Sequence, residues 1–126
     1  IIGGSETILL IDDDEMVLET GKELLRSINY NVITASSAVS ALEFYKIKKK
    51  EVSLVIIDLS MPKINGVDLF VCLKQINPLI KALIASGSMD NETYDSIIKQ
   101  GIAGIILKPY HLATLSQAGR KSLDSN

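Results

Sequence analysis

Thr7-Ile-Leu-Leu-Ile-Asp-Asp-Asp14 is a short aliphatic run stopped by three consecutive carboxylates. A run this short, with no polar alternation, suits a strand buried on both faces, as in a parallel sheet. Leu54-Val-Ile-Ile57, Ala82-Leu-Ile-Ala85 and Ala103-Gly-Ile-Ile-Leu107 have the same form. Asn31-Val-Ile-Thr-Ala35 is more mixed, which predicts a strand at the sheet edge. Between these runs the apolar spacing turns helical. Val17, Gly21, Leu24, Leu25 and Ile28 recur at steps of three and four, as do Ala38, Ala41, Leu42 and Tyr45. Leu69, Leu73 and Ile76 form a third stripe, and Tyr94, Ile97, Ile98 and Gly101 a fourth. Leu112 to Leu123 is the weakest. Pro78 and Gly101 are expected to end the third and fourth helices. Strand and helix thus alternate five times. Crossover helices demand parallel strands with right-handed connections. The expected fold is α/β: a doubly wound, five-stranded parallel sheet with helices on both faces.

Composition bounds the function. The 126 residues make one domain. With 47% hydrophobic and 22% charged residues, there is apolar material for a core and too little charge for disorder. A net charge of −2 argues against a module that lives on phosphate attraction, so no nucleic-acid partner is expected. The single cysteine excludes an intrachain disulfide and fits a reducing compartment. The most apolar window, Gly101 to Leu107, falls well short of the ~18 residues of a membrane helix. No signal-peptide pattern is seen, so a cytoplasmic domain without membrane contact is expected. Residues 1–6, with Gly3-Gly4-Ser5, read as a flexible lead-in or linker, 7–123 as the domain, and 124–126 as a fraying tail.

In an open parallel sheet, ligands bind beyond the carboxyl ends of the strands. The first strand ends in Asp12-Asp13-Asp14, the third in Asp58, the fourth in Ser86 and the fifth in Lys108. The fold would gather all of them at one edge. Two carboxylates ~4 Å apart repel by about 4 kcal/mol at an effective dielectric of 20. Such a cluster raises a pKa, recruits a cation, or both. All-oxygen donors without a His or Cys pair select a hard ion, Mg²⁺ or Mn²⁺, over zinc. A phosphoryl group would complete the pocket, with Lys108 neutralising one oxygen and the Ser86 hydroxyl donating to another.

At this point the sequence resembles the receiver (response regulator) domain of two-component signalling, from about Thr7 to Leu123. The resemblance rests on Ile8-Leu-Leu-Ile-Asp-Asp-Asp14, on Asp58-Leu-Ser-Met-Pro-Lys-Ile-Asn-Gly66 (D-x-x-M-P-x-x-x-G), on Ser86-Gly87 and on Lys108-Pro109-Tyr110. It implies a flavodoxin-like (βα)5 fold with strand order 2-1-3-4-5. Asp58 would be the nucleophile that takes a phosphoryl group from a phosphohistidine. Asp13 would ligate Mg²⁺ directly and Asp12 through water, with Asp58 and the Ser60 carbonyl completing the protein ligands. Ser86 would move to the phosphoryl group, Lys108 would pair with it and with Asp58, and a cis bond is common before Pro109. The implied partners are a histidine kinase or histidine phosphotransfer domain. A homodimer could form through the face of the fourth helix, fifth strand and fifth helix. Similarity to receivers at the C-terminus of hybrid sensor histidine kinases, drawn from Gly4-Ser-Glu-Thr-Ile-Leu-Leu-Ile-Asp-Asp-Asp14, Asn77-Pro-Leu-Ile-Lys81 and Ala85-Ser-Gly-Ser88, implies a bacterial kinase as parent. No independent turnover is implied beyond self-phosphorylation and autodephosphorylation.

Ile105 stands where the family often carries an aromatic, so a swinging phenol is not expected. Asp14 reads as a helix N-terminal charge. Cys72 reads as a small buried residue on the third helix, His111 as a surface residue, and Lys46, Lys48, Lys49 and Lys50 as a solvated helix end. Tyr110 is expected to pack beside the fifth helix, and Met61 and Pro62 to shape the turn after Asp58. Three alternatives share the fold. An Asp-nucleophile phosphatase would need a second Asp at position 60 and a cap, and has Ser60 and no long insertion. A nucleotide or flavin binder would need a Gly-rich turn after the first strand. A degenerate receiver used only for docking would lack residues that are present here.

Overall fold

Residues 8–11 are all fully buried because alternate side chains enter two separate cores. The computed structural model describes residues 1–125, so part of the expected tail, residue 126, lies outside the described residues. The elements run β1 (Thr7–Ile11), α1 (Glu15–Ser27), β2 (Asn31–Ala35), α2 (Ala38–Lys48), β3 (Leu54–Asp58), α3 (Gly66–Ile76), β4 (Ala82–Ser86), α4 (Asn91–Lys99), β5 (Gly104–Leu107) and α5 (Leu112–Leu123). Every pairing is parallel and the order is β2-β1-β3-β4-β5, the expected flavodoxin-like topology. Leu9, Ile11, Val55, Ile57 and Ile84 pack with Tyr45 of α2, Leu69, Phe70 and Leu73 of α3 and Ile97 of α4. Ile8, Leu10, Leu54, Ile56 and Leu83 pack on the other face with Leu18 and Leu25 of α1 and Leu115 of α5. Two covered faces explain the unbroken aliphatic runs.

Two strands run one residue beyond their aliphatic runs. Asp58 is still paired with Ala85, and Ser86 with Leu107. The ladder continues because neighbouring strands offer backbone partners whatever the side chain, and so both polar residues sit on rigid backbone. The loops that follow are tied by caps. Asp14 Oδ1 accepts from the Met16 and Val17 amides at 2.9 and 3.3 Å. Asn65 caps α3 through the Asp68 amide at 2.9 Å, and Asp90 caps α4 through Thr93 at 2.7 Å. Such caps contribute about 1 kcal/mol each.

The lead-in lies against α1 and α5, with hydrogen bonds from the Ile2 and Gly4 amides to Ser116 Oγ and Ile28 O at 3.0 and 3.2 Å. Arg120 Nη1 meets Glu6 Oε1 at 2.9 Å, and the same guanidinium also bonds Asp124. The hydrogen bond from Arg120 holds the Glu6 carboxyl below the usual carboxylate range, against a smaller opposing effect of burial. A depressed carboxyl adds stability above its unfolded pKa and loses it as pH falls through the folded value. The pair is partly exposed, so its contribution is under about 1 kcal/mol. Glu6→Gln should therefore be less stable than wild type in urea unfolding at pH 7, and the gap should narrow as pH falls through the folded pKa of Glu6. A gap that does not narrow with acidification would mean that packing, not charge, carries the effect.

Candidate functional site

Asp12 and Asp13 follow β1, Asp58 ends β3, and Lys108 follows β5. Parallel strands end at one rim, so these residues meet although they are far apart in sequence. Asp12 and Asp58 are only 1% and 3% exposed. Buried charges need partners. Lys108 Nζ supplies one to both, at 3.0 Å from Asp12 Oδ2 and 2.8 Å from Asp58 Oδ1. Asp12 Oδ1 accepts the Asp14 amide at 2.9 Å, so both Asp12 oxygens are engaged. Asp13 is exposed. One carboxylate oxygen from each of Asp12, Asp13 and Asp58 lies within 4.8 Å of the others.

Three carboxylates against one ammonium leave a surplus of negative charge. Burial pushes the Asp58 carboxyl above its ordinary pKa; Asp12 and Asp13 add to this, while Lys108 opposes it. For Lys108, burial works against the ammonium, but the hydrogen bonds to Asp58 and Asp12 outweigh it and hold the pKa above the ordinary lysine value. The donor set is all carboxylate oxygen, which fits a hard divalent cation and not a soft one. At 4.8 Å, two carboxylates still repel by about 3 kcal/mol at a dielectric of 20, which a cation between them would reverse.

The signature glycine has a local reason. The chain after Asp58 folds back, with the Gly66 amide donating to Leu59 O at 2.8 Å. A Cβ on Gly66 would stand 2.4 Å from the Asp58 carbonyl oxygen. Gly66→Ala must therefore push the start of α3 off the backbone of Asp58. We expect a loss of about 1–3 kcal/mol in denaturant unfolding and a slower modification of Asp58. Unchanged stability and unchanged rate together would show that the contact is unimportant.

Among the expected site residues, the Ser86 side chain is engaged elsewhere. Ser86 is buried, but its Oγ donates to Ser88 O at 2.7 Å, and it makes no hydrogen bond to Asp58 or Lys108. Ser60 lies exposed in the β3–α3 loop. Ile105 is half-buried and packs against the α2–α3–α4 core. His111 is exposed at the start of α5 and makes no side-chain cap bond. Two residues carry more than sequence reasoning assigned them. The Ser88 carbonyl accepts a hydrogen bond from the Ser86 hydroxyl. The Tyr110 hydroxyl is buried without a hydrogen-bond partner among the described residues. Its burial, followed by the charges of Asp12 and Asp58, raises the phenol pKa. The Lys108–Pro109 bond is cis.

This arrangement of acids and lysine at the strand ends coincides with a known family. The response regulator receiver domain family matches residues 8–120. The chain belongs to that family. A response regulator receiver domain protein from Clostridium thermocellum superposes with a TM-score of 0.88, at 30% identity, over 94% of each chain. Sensor kinase CckA from Brucella abortus is 31% identical over 123 residues, 98% of this chain and 13% of that protein. The probable C4-dicarboxylate response regulator DctR from Bacillus subtilis is 29% identical over 114 residues, 90% of this chain and 50% of that protein. The chain thus spans half or less of these two curated relatives. It is a phosphoacceptor-type receiver of two-component signalling, a family whose members work with kinases and phosphotransfer partners. Among the described residues no helix is long and apolar enough to cross a membrane.

Proposed function

We propose that this receiver, residues 7–123, takes a phosphoryl group from a phosphohistidine onto Asp58 and reads it out through a protein-interaction face. The observation that carries this is the Lys108 ammonium bridging Asp12 and Asp58 beside the exposed Asp13. An Asp58 oxygen attacks phosphorus, the P–N bond to the donor imidazole breaks, and the imidazole keeps that electron pair and a proton. An ionised carboxylate needs no general base. Positioning and charge neutralisation therefore do most of the work. Lys108 stays paired with the Asp58 side chain and meets a phosphoryl oxygen. Asp12, Asp13, Asp58 and the Ser60 carbonyl would hold Mg²⁺, or Mn²⁺ in its place. When bound, the ion supplies positive charge for the phosphoryl oxygens. Water attack on phosphorus breaks the acyl phosphate, returning the free carboxylate and releasing inorganic phosphate, and Ser60, two residues on, lies where it could steer that water.

For readout, Ser86 exchanges its bond to Ser88 O for one to the phosphoryl group, which moves the β4–α4 loop. The equilibrium between two forms of the α4–β5–α5 face then shifts. Tyr94 and Leu107, 45% and 58% exposed, offer apolar contact there to a partner or a second copy. Ile105 fills its site as a packed aliphatic, so the switch works without a swinging ring. A histidine kinase or phosphotransfer-type donor, a cytoplasmic setting and a hybrid kinase parent fit this reading; CckA, a sensor kinase, supports the last. The test is intact mass after incubation with acetyl phosphate, with and without Mg²⁺. A gain of one phosphoryl group that needs Mg²⁺ supports the reading. No gain from acetyl phosphate or from a phosphorylated histidine donor overturns it.

A further inference from the structure

The composition of residues 1–6 is that of a linker, yet its contacts are those of a packed element. Ser116 lies in the middle of α5 and is only 5% exposed. A serine inside a helix ordinarily bonds back to its own helix or points to water. Ser116 does neither: its Oγ accepts from the Ile2 amide at 3.0 Å and donates to the Ile2 carbonyl. The Gly4 amide donates to Ile28 O, at the end of α1, at 3.2 Å. Arg120 Nη1 donates to Gly3 O at 3.4 Å. Asn31 Nδ2, at the start of β2, donates to Ser5 O at 3.0 Å.

Gly3 is needed for this approach: a Cβ there would stand 1.8 Å from Ile28 O, whereas one on Gly4 would stand 2.2 Å from Glu6 Oε1 and 2.4 Å from Arg120 Nη1, the ends of flexible side chains. The first meets backbone, which cannot step aside cheaply. The segment therefore enters a slot between the end of α1 and the side of α5 that only bare backbone fits.

We propose that residues 2–6 form a strap that fills the slot between α1 and α5, closing that side of α5 to partners and joining α5 to the chain that enters β1. Two consequences follow from the geometry. The partner face of α5 is restricted to the side nearer α4 and β5. Any displacement of α5 is also carried into the segment ahead of β1, through Ser116 and Arg120. The strap's contacts are made in the unphosphorylated chain, so its test needs no phosphoryl donor.

The test is amide hydrogen exchange, followed by NMR on the full chain. The Ile2 and Gly4 amides should exchange at least about tenfold more slowly than in an unstructured peptide. Ser116→Ala should return Ile2 to the unstructured rate while Gly4 keeps part of its protection. Gly3→Ala should release both, and should speed exchange in α5 but not in α2. Unstructured rates at Ile2 and Gly4 in the wild type would overturn the proposal. So would protection of Ile2 that survives both substitutions, or an α5 indifferent to Gly3→Ala.

Discussion

Asp58→Asn gains no phosphoryl group from acetyl phosphate and Mg²⁺, while the wild type gains one per chain. The amide has no charge, and its oxygen is a far weaker nucleophile than a carboxylate. A loss of at least about 100-fold, or about 2.7 kcal/mol at the barrier, is the minimum expected. The fold itself should not suffer. The substitution takes one negative charge out of a cluster that holds three carboxylates against one ammonium. Burial and the neighbouring acids already raise the Asp58 pKa, so the charged side chain is under electrostatic load in the folded state. The variant's thermal midpoint without Mg²⁺ should equal or exceed that of wild type. Loss of labelling with the fold intact separates chemistry from collapse. Labelling that survives in the variant, at Asp13 for instance, would mean that the nucleophile is misassigned.

The parts legible in the sequence are those set by periodicity and by strand ends. Four aliphatic runs, one mixed edge run and five helical stripes were enough for the architecture, because a strand covered on both faces cannot carry polar residues in its middle. Asp12, Asp58 and Lys108 were legible as neighbours because a parallel sheet puts all strand C-termini on one rim. The roles of those residues came from family resemblance, not from periodicity. What stayed hidden depends on rotamers and close backbone approach. Nothing in Ser86-Gly-Ser88 shows that the Ser86 hydroxyl turns to the Ser88 carbonyl. Lys49 reads as one of a solvated run, yet its Nζ reaches Ile76 O at the end of α3, at 3.2 Å. Gly3-Gly4-Ser5 has the composition of flexible chain, and composition cannot distinguish glycine used for freedom from glycine used for closeness. Ser116, a buried polar residue in the middle of α5, was the available signal for a covering segment. It becomes a signal only once its burial is known.

Lys108→Ala should produce a large loss of stability. In the wild type one ammonium lies 3.0 and 2.8 Å from two nearly buried carboxylates. Removing it leaves both charges in place with no counter-charge. Stripping one partner from a fully buried pair costs about 3–5 kcal/mol. Lys108 is about a fifth exposed, so water softens the loss and about 2–3 kcal/mol is the better expectation without metal. The sign of the coupling makes the test specific. In an Asp58→Asn background there is one fewer stranded carboxylate, so the same lysine substitution should cost at least about 1 kcal/mol less. Millimolar Mg²⁺ should also recover more stability in Lys108→Ala than in wild type. A divalent ion bound only by the folded state stabilises it by mass action, and without the ammonium the acids offer a stronger field. Urea unfolding of the four proteins of this cycle, with and without Mg²⁺, measures all three quantities. Equal costs of the lysine substitution in both backgrounds would mean that the bridge seen between Asp12 and Asp58 does not hold the acid cluster together.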